Sequence, residues 1–211
     1  MSKLMYLAKA NPKFESNKDE FVARWRMHGA KGMSVTEMWK PTIAYVQAEV
    51  LHNEKLEGFN YEYDGIGYSI TDDSIVVDYA AIPQEDIMGI VQDETETFAV
   101  PTSENLMFVE EIKLKDGFIG GVTAFLYYKD AETAKKVAET CKNIELATRI
   151  ILDLKIDNEQ FKSNYKAAIE ISAKTFANLK KIVTTDAKEA VETADYATIT
   201  REAVLWDRIS E

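Results

Sequence analysis

The side chains of this chain best suited to moving a proton are two histidines and ten tyrosines, in 211 residues. His28 lies in the segment Asp19 to Met33, DEFVARWRMHGAKGM. At about 100° per residue, Phe21, Trp25, His28 and Gly32 fall on one side of a helix, and Val22 and Gly29 widen that side. Arg24, Arg26 and Lys31 point to water. His28 therefore stands at the margin of a buried stripe, where a general acid or base is often built and where an inert, hydrogen-bonded core histidine is equally at home. Its unperturbed pKa of about 6.5 lets an imidazole exchange a proton near neutrality. His52, beside Asn53-Glu54-Lys55, is expected to be solvated. Tyr6 and Tyr45 fall on strands that must neighbour the helix of His28, and with it they make the catalytic set. A tyrosine offers an apolar body and one hydroxyl, which suits a pocket for a flat oxygenated molecule. Trp25, Tyr63, Tyr68 and Asp78 are the expected substrate contacts, Tyr63 and Tyr68 as parts of a lid. Asp78 interrupts the apolar run SIVVDYAA, where it either orients a histidine or simply faces outward.

Other chemistries lack their signatures. No GxGxxG or GxxxxGK[ST] loop occurs, which disfavours nucleotides, and GxSxG is absent. Without CxxC, HxxxH or HExxH, and with one cysteine, no metal site is expected. What remains is cofactor-free proton transfer. A net charge of −11 repels nucleic acid and anionic lipid surfaces. No apolar run approaches the roughly 20 residues of a membrane span, and the N-terminus does not read as a secretory signal. Cys141 alone permits no internal disulfide and is expected to serve packing; the expected compartment is the cytoplasm.

The elements that must position these residues come in a repeated order. Lys3 to Lys9 reads as a strand, Asp19 to Met33 as a helix with Ser16 near its cap, and Thr42 to Leu51 as a second strand. After a long excursion, Ser74 to Ala81 is the expected third strand. Pro83 with Gln84-Glu85-Asp86 opens a helix, and Asn105 to Leu114 closes the half. Beyond Asp116-Gly117 come a strand from Phe118 to Tyr128, a helix capped by Asp130, and strands at Ala147 to Ile156 and Tyr165 to Ala173. A helix from Phe176 to Thr193 and a strand from Ala197 to Trp206 complete the set. The expected domains are 1–115 and 116–211, each ferredoxin-like with β-α-β-β-α-β order. Two helices then cover one face of a four-stranded antiparallel sheet, and the other face needs a partner. That partner is the other half, giving an α+β pseudo-dimeric α/β barrel within one chain, or a second copy in a homodimer.

Phe21, Trp25 and His28 in FVARWRMH, the acidic lead-in Asp19-Glu20, Asp64-Gly65 in YDGIG and FVEEI at Phe108 to Ile112 resemble an EthD-type domain of the dimeric α/β-barrel superfamily. The likeness covers about half the chain in motifs, and the second half shares topology and has no histidine. It implies a single asymmetric site, and a lyase or isomerase performing decarboxylation, dehydration, cyclisation or isomerisation on a hydrophobic, oxygenated small molecule, aromatic or polyketide-like. His28 would move the proton while Tyr6 or Tyr45 donates to the oxygen on which charge develops. The resemblance also leaves two alternatives: a non-catalytic binding or accessory protein, and a haem-binding monooxygenase with His28 as axial ligand.

Overall fold

The Asn17 side chain accepts a hydrogen bond from the Glu20 amide at 3.2 Å and so starts α1 (Lys18–Ser34), with Asp19 and Glu20 in its first turn against the positive end of the helix dipole. The cap is thus Asn17, not Ser16. In the computed structural model, residues 1–157, 161 and 163–208 are described. The strands β1 (Ser2–Ala8), β2 (Thr42–Val50), β3 (Gly65–Thr71) and β4 (Met107–Lys115) lie antiparallel in the spatial order β4-β1-β3-β2. The strands β5 (Gly121–Tyr128), β6 (Ala147–Lys155), β7 (Ala167–Ala173) and β8 (Tyr196–Asp207) repeat that arrangement as β8-β5-β7-β6. Because β2 pairs with β8 and β4 with β6, the two runs join edge to edge into one closed barrel. Closure satisfies strand edges that would otherwise template aggregation. The fold class is α+β, with two ferredoxin-like β-α-β-β-α-β sets forming a pseudo-dimeric barrel.

Alternation along each strand sorts the residues into layers. Met5, Leu7, Val46, Ile66, Tyr68, Val109, Phe125 and Tyr127 point inward and fill the barrel. Outside the first run, α1 and α3 (Gln84–Thr97) cover Ala8, Phe21, Trp25 and Phe98, while the short α2 (Thr36–Trp39) follows α1. Outside the second run, α4 (Ala131–Cys141), α5 (Phe176–Thr184) and α6 (Lys188–Thr193) bury an aliphatic cluster that contains Cys141. No helix among the described residues is long and apolar enough to cross a membrane.

Two expectations need correction. The third strand is Gly65–Thr71, not Ser74 to Ala81, which is a loop with one 3-10 turn at Tyr79–Ala81. Ile66, Tyr68 and Ile70 fill the inner face of β3, while its outer face carries Gly65 and Gly67. A Cβ at Gly65 would meet the Trp25 ring at 2.2 Å, and one at Gly67 the Tyr6 ring at 2.1 Å. The two glycines make room for those aromatics, a recognised use of glycine within strands. The helix expected over Phe176 to Thr193 is also broken, because Thr185 leaves helical geometry between α5 and α6.

Candidate functional site: a buried ionic centre beneath the barrel mouth

The residues singled out from sequence separate onto opposite sides of the first sheet run. On its outer face, the Trp25 indole donates to the Tyr6 hydroxyl at 3.2 Å, and the Tyr6 and Tyr45 hydroxyls share a hydrogen bond of 3.2 Å. Gln47 donates to the Tyr45 hydroxyl at 2.9 Å and to the Trp25 carbonyl at 3.0 Å. Burial raises the pKa of both phenols, with Tyr45 adding to the effect on Tyr6. His28 sits beside this network: its Nδ1 is 2.8 Å from Asp93, and its ring meets the edge of Phe98 at 5.4 Å. Phe98 in turn packs on Tyr6 and Trp25. Burial works against the Asp93 charge, but Arg24 and His28 outweigh it and hold that carboxyl below its usual range. His28 thereby ties α1 to α3. Tyr68 is not in a lid: it points into the barrel and donates to Glu202 at 2.8 Å. Tyr63 packs edge-on against Tyr196 at 5.5 Å, beside the barrel's inner cluster. Asp78 is not on a strand; it starts the 3-10 turn by accepting from the Ala80 amide at 3.1 Å. His52 pairs with buried Asp64 at 2.9 Å rather than standing free in solvent.

The barrel interior holds a second polar group of residues. Lys3 on β1 is 2.6 Å from Glu170 on β7, 3.2 Å from Asp153 on β6 and 3.2 Å from Glu111 on β4. Arg149 on β6 is 2.9 Å from Glu170 and 2.8 Å from Glu202 on β8. A register shift between Ala147 and Arg149 bends β6 where this guanidinium enters the barrel, a common use of a bulge. Burial opposes the charge on Lys3 and Arg149, yet the surrounding carboxylates hold both above their ordinary values. Burial drives Asp153 far above the usual carboxylate range. Glu170 is held below it because Lys3 and Arg149 overcome the same burial. Two neighbouring carboxyl groups pushed apart in this way are the mark of an acid paired with a base.

This centre lies beneath an open end of the barrel. One cavity there, of about 430 Å³, is walled by Ile70, Glu111, Lys113, Phe118, Ile151 and Arg149. Another, of about 730 Å³, shares Ile70, Glu111 and Lys113 and adds Lys3, Ile43, Ile75 and Arg208. The β4–β5 connection crosses this mouth. Its Gly120 amide donates to Glu202 at 2.9 Å, and Gly120 and Gly121 have φ of 114° and 118°, values natural to glycine. Ile119 of the same connection packs on the barrel's inner cluster. Arg149 is buried, and its Nε–H has no hydrogen-bond partner among the described residues. A buried donor left unpaired is rare and costly. His28 belongs to neither cavity, nor to a third at Lys18, His52 and Asp64.

Sequence reading missed Lys3, Arg149, Asp153, Glu170 and Glu202. A signal existed, because each is a charge set within an apolar strand, as in KLMYLAK, IILDLK and AAIEISA. No described residues form a group of three or more His, Cys, Asp or Glu able to hold a metal. Haem does not fit either: carboxylates hold both imidazoles outside the barrel, and neither mouth cavity has a histidine, cysteine or tyrosine in its wall.

A closed antiparallel barrel with helices on its outside and a polar centre within defines a protein of the dimeric α/β-barrel fold. Among solved structures, the chain is similar to a "putative monooxygenase" from Fusobacterium nucleatum, with a TM-score of 0.55 and 12% identity over 97% of this chain and 92% of that one. Two further similarities are to a "putative monooxygenase" from Lactobacillus acidophilus and to an anthrone oxidase-like protein. Their TM-scores are 0.48 and 0.47, at 13% and 8% identity, over 96% and 98% of this chain and 92% and 94% of theirs. At these identities the likeness is one of fold. No protein-family model and no curated protein sequence matches the chain.

Proposed function

We propose that this chain is an EthD-like enzyme that carries out cofactor-independent acid–base chemistry on a hydrophobic, oxygenated small molecule, and that the molecule binds at the mouth of the barrel. Buried Arg149, a cation in the wall of this cavity, carries this reading. The walls Ile43, Ile70, Ile75, Phe118 and Ile151 suit an apolar body. Arg149 then donates to a carbonyl or phenolate oxygen, Lys3 adds positive charge behind it, and Glu111, which lines both cavities, takes the proton. Such a step is a proton abstraction beside a carbonyl, as in isomerisation, dehydration or decarboxylation. The proposal extends to two units at 1–115 and 116–211 and to a cytoplasmic setting, for which the lone buried thiol of Cys141 speaks.

The test uses enolisable ketones, including tetralone and acetophenone, incubated with the full chain in deuterium oxide and followed by proton NMR. Deuterium should enter the position beside the carbonyl faster than in buffer, and Glu111→Gln should slow that entry about 100-fold or more. Exchange no faster than buffer for any ketone, with no shift in melting temperature on adding them, would remove both enzyme and ligand-binding readings of this mouth.

A second reading keeps His28 as the proton carrier with Tyr6, Tyr45 and Trp25 around it. The Asp93 carboxylate at Nδ1 supports it, since such a partner fixes the tautomer and orientation of an imidazole base. His28→Ala separates the two. Under the mouth reading deuterium entry is unchanged and the α1–α3 contact loosens by about 1–2 kcal/mol. Under the second reading entry stops.

A further inference from the structure

The mouth reading assigns no role to Asp153, a fully enclosed acid of the centre. Among the described residues, Lys3 and Arg149 are the only cations bonded to the four carboxyl groups here, those of Glu111, Asp153, Glu170 and Glu202. The Asp153, Glu170 and Glu202 side chains are fully enclosed. Charges withdrawn from water in this way demand compensation, and two cations fall short of four anions. A fully enclosed carboxyl group with less compensation than its neighbours is the one that holds a proton. Glu170 is bonded to both cations, whereas Asp153 has Lys3 alone. The proton therefore resides on Asp153.

We propose that Asp153 is a carboxylic acid, not a carboxylate, in the working protein, and that its proton fixes the net charge under Arg149 and Lys3 and thereby their pull on a developing oxyanion at the mouth. The proposal rests on the acid–base reading above for its consequence, though not for the proton itself. Asp153 is a positioning residue: it lines neither cavity and acts through Lys3 and Glu170. The titratable groups facing the pair are Lys3 from β1, Tyr68 from β3, Glu111 from β4, Tyr127 from β5, Arg149 from β6, and Glu202 and Tyr196 from β8. The inward residues of β2, Val46 and Ala48, carry no charge. Tyr127 bears on the same point. Its buried hydroxyl has no hydrogen-bond partner among the described residues and lies within electrostatic reach of Glu170 and Asp153, a setting in which another anion is unfavourable. Ionising Asp153 adds one negative charge beneath the oxygen that Arg149 would hold. The site then loses oxyanion affinity as pH rises, with no change in the groups touching the ligand.

The experiment has two parts, both on the full chain. Carbon-13 NMR of carboxyl-labelled aspartate should show one resonance that stays in the protonated position through neutral pH and is missing from Asp153→Asn. If every aspartate titrates near the ordinary value of about 3.9, the proposal is overturned. Glu170→Gln gives a second reading should Asp153→Asn not fold, because it removes the shared anion and should return the resonance toward ordinary titration. In the deuterium-entry assay, the wild-type rate should fall about tenfold per pH unit above the Asp153 ionisation. Asp153→Asn, permanently neutral, should keep a flat alkaline limb. A resonance that stays protonated with the same limb in both proteins leaves the proton purely structural and sinks the electrostatic role. Failure of every ketone to exchange removes the acid–base reading, while the NMR result still decides the proton.

Discussion

Arg149→Met should lower the stability of the folded chain by about 3–5 kcal/mol, the penalty for removing one partner of a buried ion pair. Arg149 is bonded to Glu170 and Glu202 inside the barrel, so its loss leaves two enclosed carboxylates short of a cation. Glu202 keeps the Tyr68 hydroxyl and the Gly120 amide, which soften the effect on that side. Glu170 keeps only Lys3, already shared with Asp153 and Glu111. Urea denaturation followed by far-ultraviolet circular dichroism measures the change, and pairing Arg149→Met with Glu202→Gln should recover part of it. A single variant within 1 kcal/mol of wild type at unchanged m-value would mean that the ionic centre is not a closed network. The register shift in β6 places Arg149, whose Nη2 alone meets both carboxylates.

Lys3→Met should cost a similar amount, about 3–5 kcal/mol near neutral pH, and its cost should shrink in acid. The sign follows from two of the three carboxyls that Lys3 touches, Glu170 and Asp153. Glu170 has a folded pKa below its unfolded value. It contributes stability above about pH 4.3 that is lost as pH falls through the lowered folded value. Asp153 has a folded pKa above its unfolded value. Its contribution is complete below about pH 3.9 and is lost as pH rises through the raised folded value. Without Lys3 both groups favour the protonated form more strongly, so the variant gains on wild type as protons become available. Melting curves of both proteins across the pH range measure this difference. A gap that stays constant with pH would show that Lys3 acts through packing of its aliphatic stem rather than through its charge.

The two candidate centres differ in what their neighbours require. On the outer face, Tyr6, Tyr45, Trp25 and Gln47 satisfy one another, and Asp93 holds both His28 and Arg24. At the mouth, Arg149 stands in the wall of a space that a guest molecule can fill. The glycine-rich connection at Gly117 to Gly121 stands over that opening. Its Gly120 amide donates to Glu202.

The order of elements was written in the sequence. Alternation in KLMYLAK and TIAYVQAEV, the acidic first turn of α1, and the Asp130 cap of α4 each encode a local structure that needs no distant partner. The twofold β-α-β-β-α-β order followed from them, and the barrel was one of two ways for each sheet to cover its bare face, the other being a second copy. Hidden from local reading was β3. Its outer face is Gly65 and Gly67, and glycine signals a turn unless one knows that Trp25 and Tyr6 lie over it. Also hidden was the ionic centre. Lys3, Arg149, Asp153, Glu170 and Glu202 are far apart in the chain, and a charge within an apolar strand reads as an outward residue until pairing fixes the parity of the strand. Local propensity acts over a few residues, so sequence alone set most of the strands and helices, β3 and the break between α5 and α6 apart. Which way a charged side chain faces depends on register across strands over a hundred residues apart, and only closure of the barrel decided that these five meet.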